Sequence, residues 1–364
     1  MTHIQPQSAT TFEIAIDESV APEARVASSI PEIRRLKLVT RPSGLLPFLI
    51  YEYGLEPLSR YLPNLYDLID QGRQWERYRG THKAIHDGLG FIGYTAQIIN
   101  PPARRLAWAD FQLHLGRLRD NEGDLVNIDG IVTLSSPVRS KLRRVFFGHD
   151  FPAAEGGYTT HGNCIWGDDS GVRIAGSDVK WSFGRTHDVS AAFTESELTA
   201  LGIWIEPVAS NYWALNDTIW ADDEFLWADP AEQSRRSTIA DAFLPFPVWM
   251  RFDDAVGDTI GFRLARSLPI AAKASGPIVI NGARYAINRV SPTHIYAYAH
   301  TGFGDGNGSV AASVALVANG TVSEAPGRLW RTDVAGGVEI APTPLPIEFG
   351  QTVRDKVQML LELA

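Results

Sequence analysis

His161-Gly162-Asn163-Cys164 sets two soft metal ligands at short spacing, and His149-Asp150 and His187-Asp188 supply further nitrogen and oxygen donors. Such a set could hold zinc, or form a nucleophile, base and orienting carboxylate. The neighbours of Cys164 are Ile165 and Trp166, so the thiol also reads as a small buried hydrophobe. Paired carboxylates recur at Asp168-Asp169, Asp222-Asp223 and Asp253-Asp254 in a chain with ten tryptophans. Two carboxylates across a sugar, on aromatic platforms, are what glycoside hydrolysis needs. Adjacent carboxylates normally point apart, however, and Gly167, Ser170 and Gly171 around the first pair are turn residues. Asp120-Asn121-Glu122-Gly123-Asp124 and the segment Gly302 to Gly308 resemble calcium loops but lack the full ligand series of an EF-hand, so both read as turns. Dinucleotide, P-loop, zincin and nucleophile-elbow signatures are absent. The expectation is a non-enzymatic chain with no cofactor and no metal.

Composition agrees. The 364 residues are long enough for two or three domains, and 45% hydrophobic content supplies ordinary cores. With 32 Gly and 22 Pro, the chain is rich in turns. A net charge of −9 argues against a protein built to grip phosphate backbones. The local basic runs Arg34, Arg35, Lys37, Arg41 and Arg139, Lys141, Arg143, Arg144 read as solvated faces or docking sites for acidic neighbours. One cysteine excludes an intrachain disulfide framework and fits assembly in a reducing cytoplasm. The first residues lack the pattern of a signal peptide, and no run reaches the length of a membrane span, which predicts a soluble protein.

The elements that must carry these residues divide into four expected regions. Residues 1–35 are polar and read as an extended N-terminal arm. Residues 36–100 read as a helical docking domain. Leu62, Leu65, Tyr66 and Ile69 form a helical stripe that Trp75 and Tyr78 extend if Gly72 is tolerated. Gly80 permits a sharp turn, and Thr81 is placed to cap a second helix that buries Ala84, Ile85 and Leu89 and ends at Gly88 or Gly90. Residues 101–265 read as a mixed, Trp-rich β/α domain. Phe111, Leu113 and Leu115 alternate as a strand, although Trp108, Phe111, Leu115 and Leu118 also fit a helix face; the apolar residues from Leu125 to Val132 favour the strand and a continuing meander, and helices are expected near 195–201 and 231–242. Residues 266–364 read as β-rich and sandwich-like. Asn281-Gly282 between two apolar runs predicts a hairpin, His294 to His300 alternates, and Val353, Val357, Leu360 and Leu361 share one face of a C-terminal helix. The fold class is α+β.

Within residues 45–94 the pattern Leu46-Pro47-Phe48-Leu49, Tyr51-Glu52-Tyr53, then helical spacing to Arg79-Gly80-Thr81 and a short helix to Gly90 resembles the phage tail protein I family. Members often carry Trp at the aromatic positions and Lys at the turn, so Phe48, Tyr51 and Arg79 are conservative departures. The run from Leu134 to Asp150, with Ser182-Phe183-Gly184-Arg185, is similar to an extension of some tail proteins of this kind. The resemblance implies a structural virion protein: a baseplate wedge subunit of a contractile tail, assembled in the host cytoplasm. Its implied partners are a tail protein J-type wedge protein, hub or sheath-initiator proteins and a tail fibre, with six copies per particle and no direct nucleic-acid or membrane contact. The residues expected to meet partners are Phe48, Tyr51, Glu52, Trp75, Tyr78, Arg79, Gly80 and Thr81, with Trp75 and Tyr78 reading equally well as intrachain core. The alternative is a polysaccharide-binding or glycan-hydrolysing protein, secreted or borne on a tail.

Overall fold

The computed structural model describes residues 6, 8–20, 26–27, 29–100, 108–154, 159–160, 162–203, 230–323 and 329–363. The chain forms two compact units, one of residues 1–95 with 126–140 and one of residues 96–125 with 141–364. The expected class, α+β, is the class observed.

The first unit is helical. Helix α1, Thr11–Val20, begins where the Thr10 hydroxyl accepts the Glu13 N–H (3.3 Å) and the Glu13 carboxylate accepts the Thr10 N–H (2.8 Å). This reciprocal cap, readable as Thr-x-x-Glu, gives helix where the polar composition suggested an extended arm. Helix α2, Ser29–Arg35, runs into a π-helical turn, Leu36–Thr40, and neither buries a residue. Helix α3, Leu46–Glu52, starts on Pro47, which lacks an N–H and so leaves no donor unsatisfied there. Helix α4, Leu65–Glu76, is capped by Asn64 and buries Leu68, Ile69, Gly72 and Trp75. The cap starts the helix after Leu62, which turns Leu65 and Tyr66 outward and moves the buried stripe from the one expected. Gly72 is tolerated because a β-carbon there would sit 3.1 Å from Leu55.

Helix α5, His82–Phe91, starts on Thr81 as expected and buries Ala84, Ile85, Gly88 and Leu89. Its end lies beyond Gly88 and Gly90. Gly93, at φ +74°, donates to the Gly90 carbonyl (3.1 Å), and Tyr94 donates to Leu89 (2.9 Å). That pair of bonds is a left-handed glycine cap. Helix α6, Asp124–Ser135, replaces the expected meander. Leu125, Ile128, Ile131 and Val132 fall on one helical face and are buried, a pattern that short apolar clusters cannot distinguish from strands.

Among the described residues, the second unit is built on a 14-stranded mixed sheet. In chain order its strands are β1 (Ala96–Ile99), β2 (Asp110–Leu115), β3 (Lys141–Phe147), β4 (Val172–Arg173) and β5 (Lys180–Ala192), followed by helices α7 (Glu195–Ala200) and α8 (Pro230–Phe243). Strands β6 (Val248–Asp253), β7 (Thr259–Ala272), β8 (Ile278–Ile280), β9 (Ala283–Ile287), β10 (His294–His300), β11 (Val310–Ala318), β12 (Trp330–Arg331), β13 (Val338–Glu348) and β14 (Val353–Glu362) complete it. The main order is β1-β2-β3-β5-β14-β10-β7-β6-β11-β13. The pairs β2/β3, β3/β5 and β5/β14 are parallel, and the pairs from β14 onward along this order are antiparallel. Strand β7 is long enough to serve two partners: its first half pairs with β6 and its second with β10 and β9. It runs unbroken through residues 265 and 266, where composition suggested a boundary. Val189, Phe252, Val314, Leu316, Val357, Met359 and Leu361 meet in one core, which Leu198, Ile239 and Phe243 of the two helices close.

The expected C-terminal helix is strand β14. Val357, Met359 and Leu361 alternate into the main core, while Leu360 packs with Tyr296 and Ile270 on the other face. A strand buried on both faces reads as a continuous apolar run, and that run mimicked a helical stripe. Helices α7 and α8 and the β8–β9 hairpin lie where expected. Asn281 (φ 48°) and Gly282 (φ 79°) form the turn, and Thr194 caps α7 reciprocally with Glu197. Trp181 and Trp249 are buried, whereas Trp108 and Trp166 are exposed. Trp204, Trp213, Trp220 and Trp227 lie outside the described residues.

Helix α5 holds two glycines in opposite circumstances. A β-carbon on Gly88 would lie 2.8 Å from the Ser135 hydroxyl and 3.0 Å from Ile131, while Gly90 has open space. We expect Gly90→Ala to stabilise the protein by about 0.5–1 kcal/mol through helix propensity. Gly88→Ala forfeits that gain to the clash with α6 and destabilises. Urea unfolding followed by far-ultraviolet circular dichroism measures both.

Candidate functional site

The turn Arg79-Gly80-Thr81 gathers the end of α6. Gly80, at φ +83°, donates its N–H to the Ser135 carbonyl (2.9 Å), and Arg79 Nε donates to the Leu134 carbonyl (3.0 Å). These are carbonyls of the last helical turn, which have no partner within the helix, and the Arg79 cation sits at the negative end of the α6 dipole. Trp75 lies beneath with 4% of its surface exposed. Its indole N–H is within 3.1 Å of both the Ala84 carbonyl and the Ser135 hydroxyl. The Arg79 guanidinium stands 5.6 Å from the Trp75 ring. Trp75 is therefore a core anchor with no face for a neighbour, and Arg79 and Gly80 clamp the end of α6, while Arg79 and Thr81 keep exposed surface. Sequence spacing exposed the turn but not its partner, because Leu134 and Ser135 lie 55 and more positions away.

The surface-facing members of the expected set are Phe48, Tyr51, Glu52, Tyr78, Arg79 and Thr81. Phe48 and Tyr51 are 70% and 80% exposed on α3, on the side opposite buried Leu46, Leu49 and Ile50. Glu52 pairs with Lys37, and Arg41 pairs with Asp70 at 2.6 Å, which ties the π-helical turn to α3 and α4. With Arg35 beside Glu32 (3.7 Å), three cations of the first basic run thus have acidic partners within the unit. Tyr78 lies beside Lys83, whose ammonium is 5.1 Å from the ring. Phe12, Ile16, Ile30, Ile33, Leu38 and Val39 of the leading helices are exposed as well. Those residues were missed in the sequence because the leader was read as an arm rather than as apolar faces.

Residues 5–132 match the phage tail protein family Tail_P2_I. The match spans about a third of the chain and bears out the resemblance seen in residues 45–94. Over those residues the chain is similar to a family of phage tail proteins. Comparison with curated proteins returns no match. No helix among the described residues is long and apolar enough to cross a membrane.

The rest of the chain holds the groups that suggested other chemistry. His161 lies outside the described residues, and Cys164 is partly buried with Sγ 3.6 Å from the Thr160 carbonyl, not enclosed in a core. Among the described residues, no three His, Cys, Asp or Glu side chains gather as a metal site. Asp168 is bound by Lys180 (2.9 Å) and Arg143 (3.0 Å). Burial pushes its carboxyl up, but Lys180, the Asp169 N–H and Arg143 outweigh this and hold it well below the usual range. Such a carboxylate is not a proton donor. Asp253 accepts from Arg251 and Thr259, Asp254 accepts turn N–H groups, and Asp222-Asp223 lies outside the described residues. In the two candidate calcium loops, Glu122 is engaged by Arg119, and Asp305 by Arg263.

His187 Nε2 meets Asp355 (2.9 Å), which Arg185 also holds (2.6 Å). His149 is buried between the rings of Phe151 and Phe303, with Arg354 at 3.3 Å. Burial first, and then Arg354, bring both His149 and His300 down to about 4. Their unfolded value is 6.5, so on acidification the unfolded chain takes up protons first. Stability accordingly falls as pH drops from about 6.5 towards 4, above the range where Asp168 and Asp355 titrate. We expect the melting temperature to decline through this window, and His149→Gln with His300→Gln to flatten the decline. Thermal melts across a pH series give the answer.

Proposed function

We propose that the chain is a baseplate wedge subunit of a contractile phage tail. The observation that carries this reading is the coincidence of the family match over residues 5–132 with a helical unit whose leading apolar residues stay uncovered. Phe12, Ile16, Ile30, Ile33, Leu38 and Val39 are too many to leave to solvent in a protein that works alone. In an assembly they become the contact with a larger wedge protein of the tail protein J type and with hub or sheath-initiator proteins. Phe48 and Tyr51 extend that contact along α3. The β unit is then free to carry a fibre or a neighbouring wedge. Six copies ring the hub, and a change in their relative orientation passes the fibre signal to the sheath.

Exposed Phe48 and Tyr51 can be changed without touching the core. Phe48→Glu with Tyr51→Glu should leave the melting temperature of the free chain within about 2 °C, since exposed substitutions seldom cost more than half a kcal/mol. The same variant should fail to enter purified tails and should leave particles without complete baseplates. Trp75→Ala should unfold the helical unit instead, at a cost of about 3–5 kcal/mol. Electron microscopy of tails and quantitative protein analysis of them distinguish these outcomes. Normal incorporation of the double variant would refute contact through α3, and an intact tail lacking the chain altogether would refute the wedge role.

A further inference from the structure

The β unit keeps most of its half-buried cations neutralised. Arg143 and Lys180 meet Asp168, Arg144 meets Asp150, Arg185 meets Asp355, Arg251 meets Asp253 and Glu339, and Arg263 meets Asp305. One face of the sheet departs from this rule. On the side of β14 away from the main core stand Arg354 and Lys356, and on the same side of β7 stands Arg266. Register places them around β10: Tyr298 lies opposite both Arg266 and Gln358, and His300 lies opposite Lys356. Arg354 donates to the Thr301 carbonyl (2.8 Å) and approaches His149, and Lys356 stands 5.6 Å from the Tyr298 ring. Among the described residues none of these three cations forms an ion pair with a carboxylate.

The nearest acid on this face is Asp188 on β5, opposite Gln358. It is held by neutral donors, Gln358 Nε2 at 2.8 Å and the Asn281 N–H at 2.9 Å. It raises the Lys356 ammonium only from a distance, while burial lowers it. His149 and His300 add no charge near neutrality, because both rings are brought down to about 4. Around Tyr298 the face therefore sets three positive charges against Asp188, with Asp305 acting on Arg354 from its pairing with Arg263 and Glu362 six positions beyond Lys356 on β14, opposite His294, in a chain of net charge −9. It is open on its flanking strands, where Thr186 and Asp188 of β5 and Arg266 of β7 are exposed, with Lys356 and Tyr298 half-buried between them, and it is bounded by the β8–β9 turn, which reaches Ser190 through Asn281 (2.9 Å).

We propose that this face binds an extended acidic peptide segment of a neighbouring tail protein. Residues two apart on a strand stand about 7 Å apart, and alternate strands about 10 Å. The cations are thus spread along and across the sheet rather than converging on one point, as they would for a single phosphate. Carboxylates at alternate positions of an extended chain repeat at the same interval of about 7 Å. The Tyr298 ring offers a surface for the intervening side chains, and Asp188 accepts a peptide N–H. A continuous phosphate backbone would meet Asp188 unfavourably. This surface lies outside residues 5–132, and its test needs no assembled tail, so it stands or falls apart from the wedge reading.

The probe is a fluorescein-labelled octaglutamate peptide titrated with the full-length chain by fluorescence anisotropy. Binding is expected at low salt and should weaken at least about tenfold on Arg266→Gln with Lys356→Gln, a difference of about 1.4 kcal/mol. Arg60→Gln with Arg77→Gln removes the same charge from the exposed surface of the helical unit and should leave binding unchanged. Absence of binding, or equal weakening by both pairs, overturns the proposal. So does a single-stranded oligothymidylate that binds the face more tightly than the peptide. A thermal melt of each variant shows that the fold is retained; should Lys356→Gln unfold the chain, Arg266→Gln alone reports on the exposed side.

Discussion

The pairing of β14 between β5 and β10 is the constraint on which the β unit rests. On one side the strand runs parallel to β5, and on the other antiparallel to β10. It therefore joins the parallel part of the sheet, β2, β3 and β5, to the antiparallel part that follows. Its alternating residues also divide the chemistry. Val357, Met359 and Leu361 enter the core. Arg354, Lys356 and Gln358 enter the open face. Asp355, on the core side, is the exception, and its buried charge is tolerable only because Arg185 and His187 both meet it. Burial alone would push that carboxyl up, yet its two partners hold it below the usual range.

The helical unit has a comparable pin in Trp75. An indole with a buried N–H must find an acceptor, and here it finds two, on α5 and on α6. Since α6 is supplied by residues 126–140, the unit is not continuous in sequence. The clamp of Arg79 and Gly80 on the end of α6 closes the same junction from outside. Trp75, Arg79 and Gly80 of the expected docking motif thus serve to join two distant segments. The exposed apolar side chains of α1 to α3 are left as the surface available to partners.

Legibility followed locality. Thr81, Gly80 and the buried face of α5 were readable because capping and glycine geometry depend on a few adjacent residues. The Asn281-Gly282 hairpin was readable for the same reason. Strand β14 was not, because Val353 to Leu361 satisfies a helical stripe and a doubly buried strand equally well, and only its two partners decide. The α6 helix failed in the opposite direction, with apolar residues grouped closely enough to pass for short strands. The helix α1 did have a local signal, Thr10 with Glu13, which the polar composition of the leader concealed. For the candidate surface, residue type alone could not separate Trp75 from Phe48: one is buried and the other exposed, within a single aromatic-rich stretch. The open cationic face was invisible because Arg266, Lys356 and Tyr298 come together only through register.

The same central strand has a kinetic consequence. Arg185 on β5 and Asp355 on β14 are partners separated by 170 positions. Between them the chain must form two helices and most of the antiparallel sheet. Loop closure over such a span is costly before any pairing rewards it, so the β unit belongs to the slowly folding, non-local class. Until β14 arrives, β5 and β10 each present an unpaired edge, which is where foreign strands add. The helices α4 and α5 need α6 only 55 to 60 positions away, a shorter closure, and can form before that. The chain thus passes through an interval with an ordered helical part and an unfinished sheet, the stage at which a chaperone or an assembly partner has most to protect.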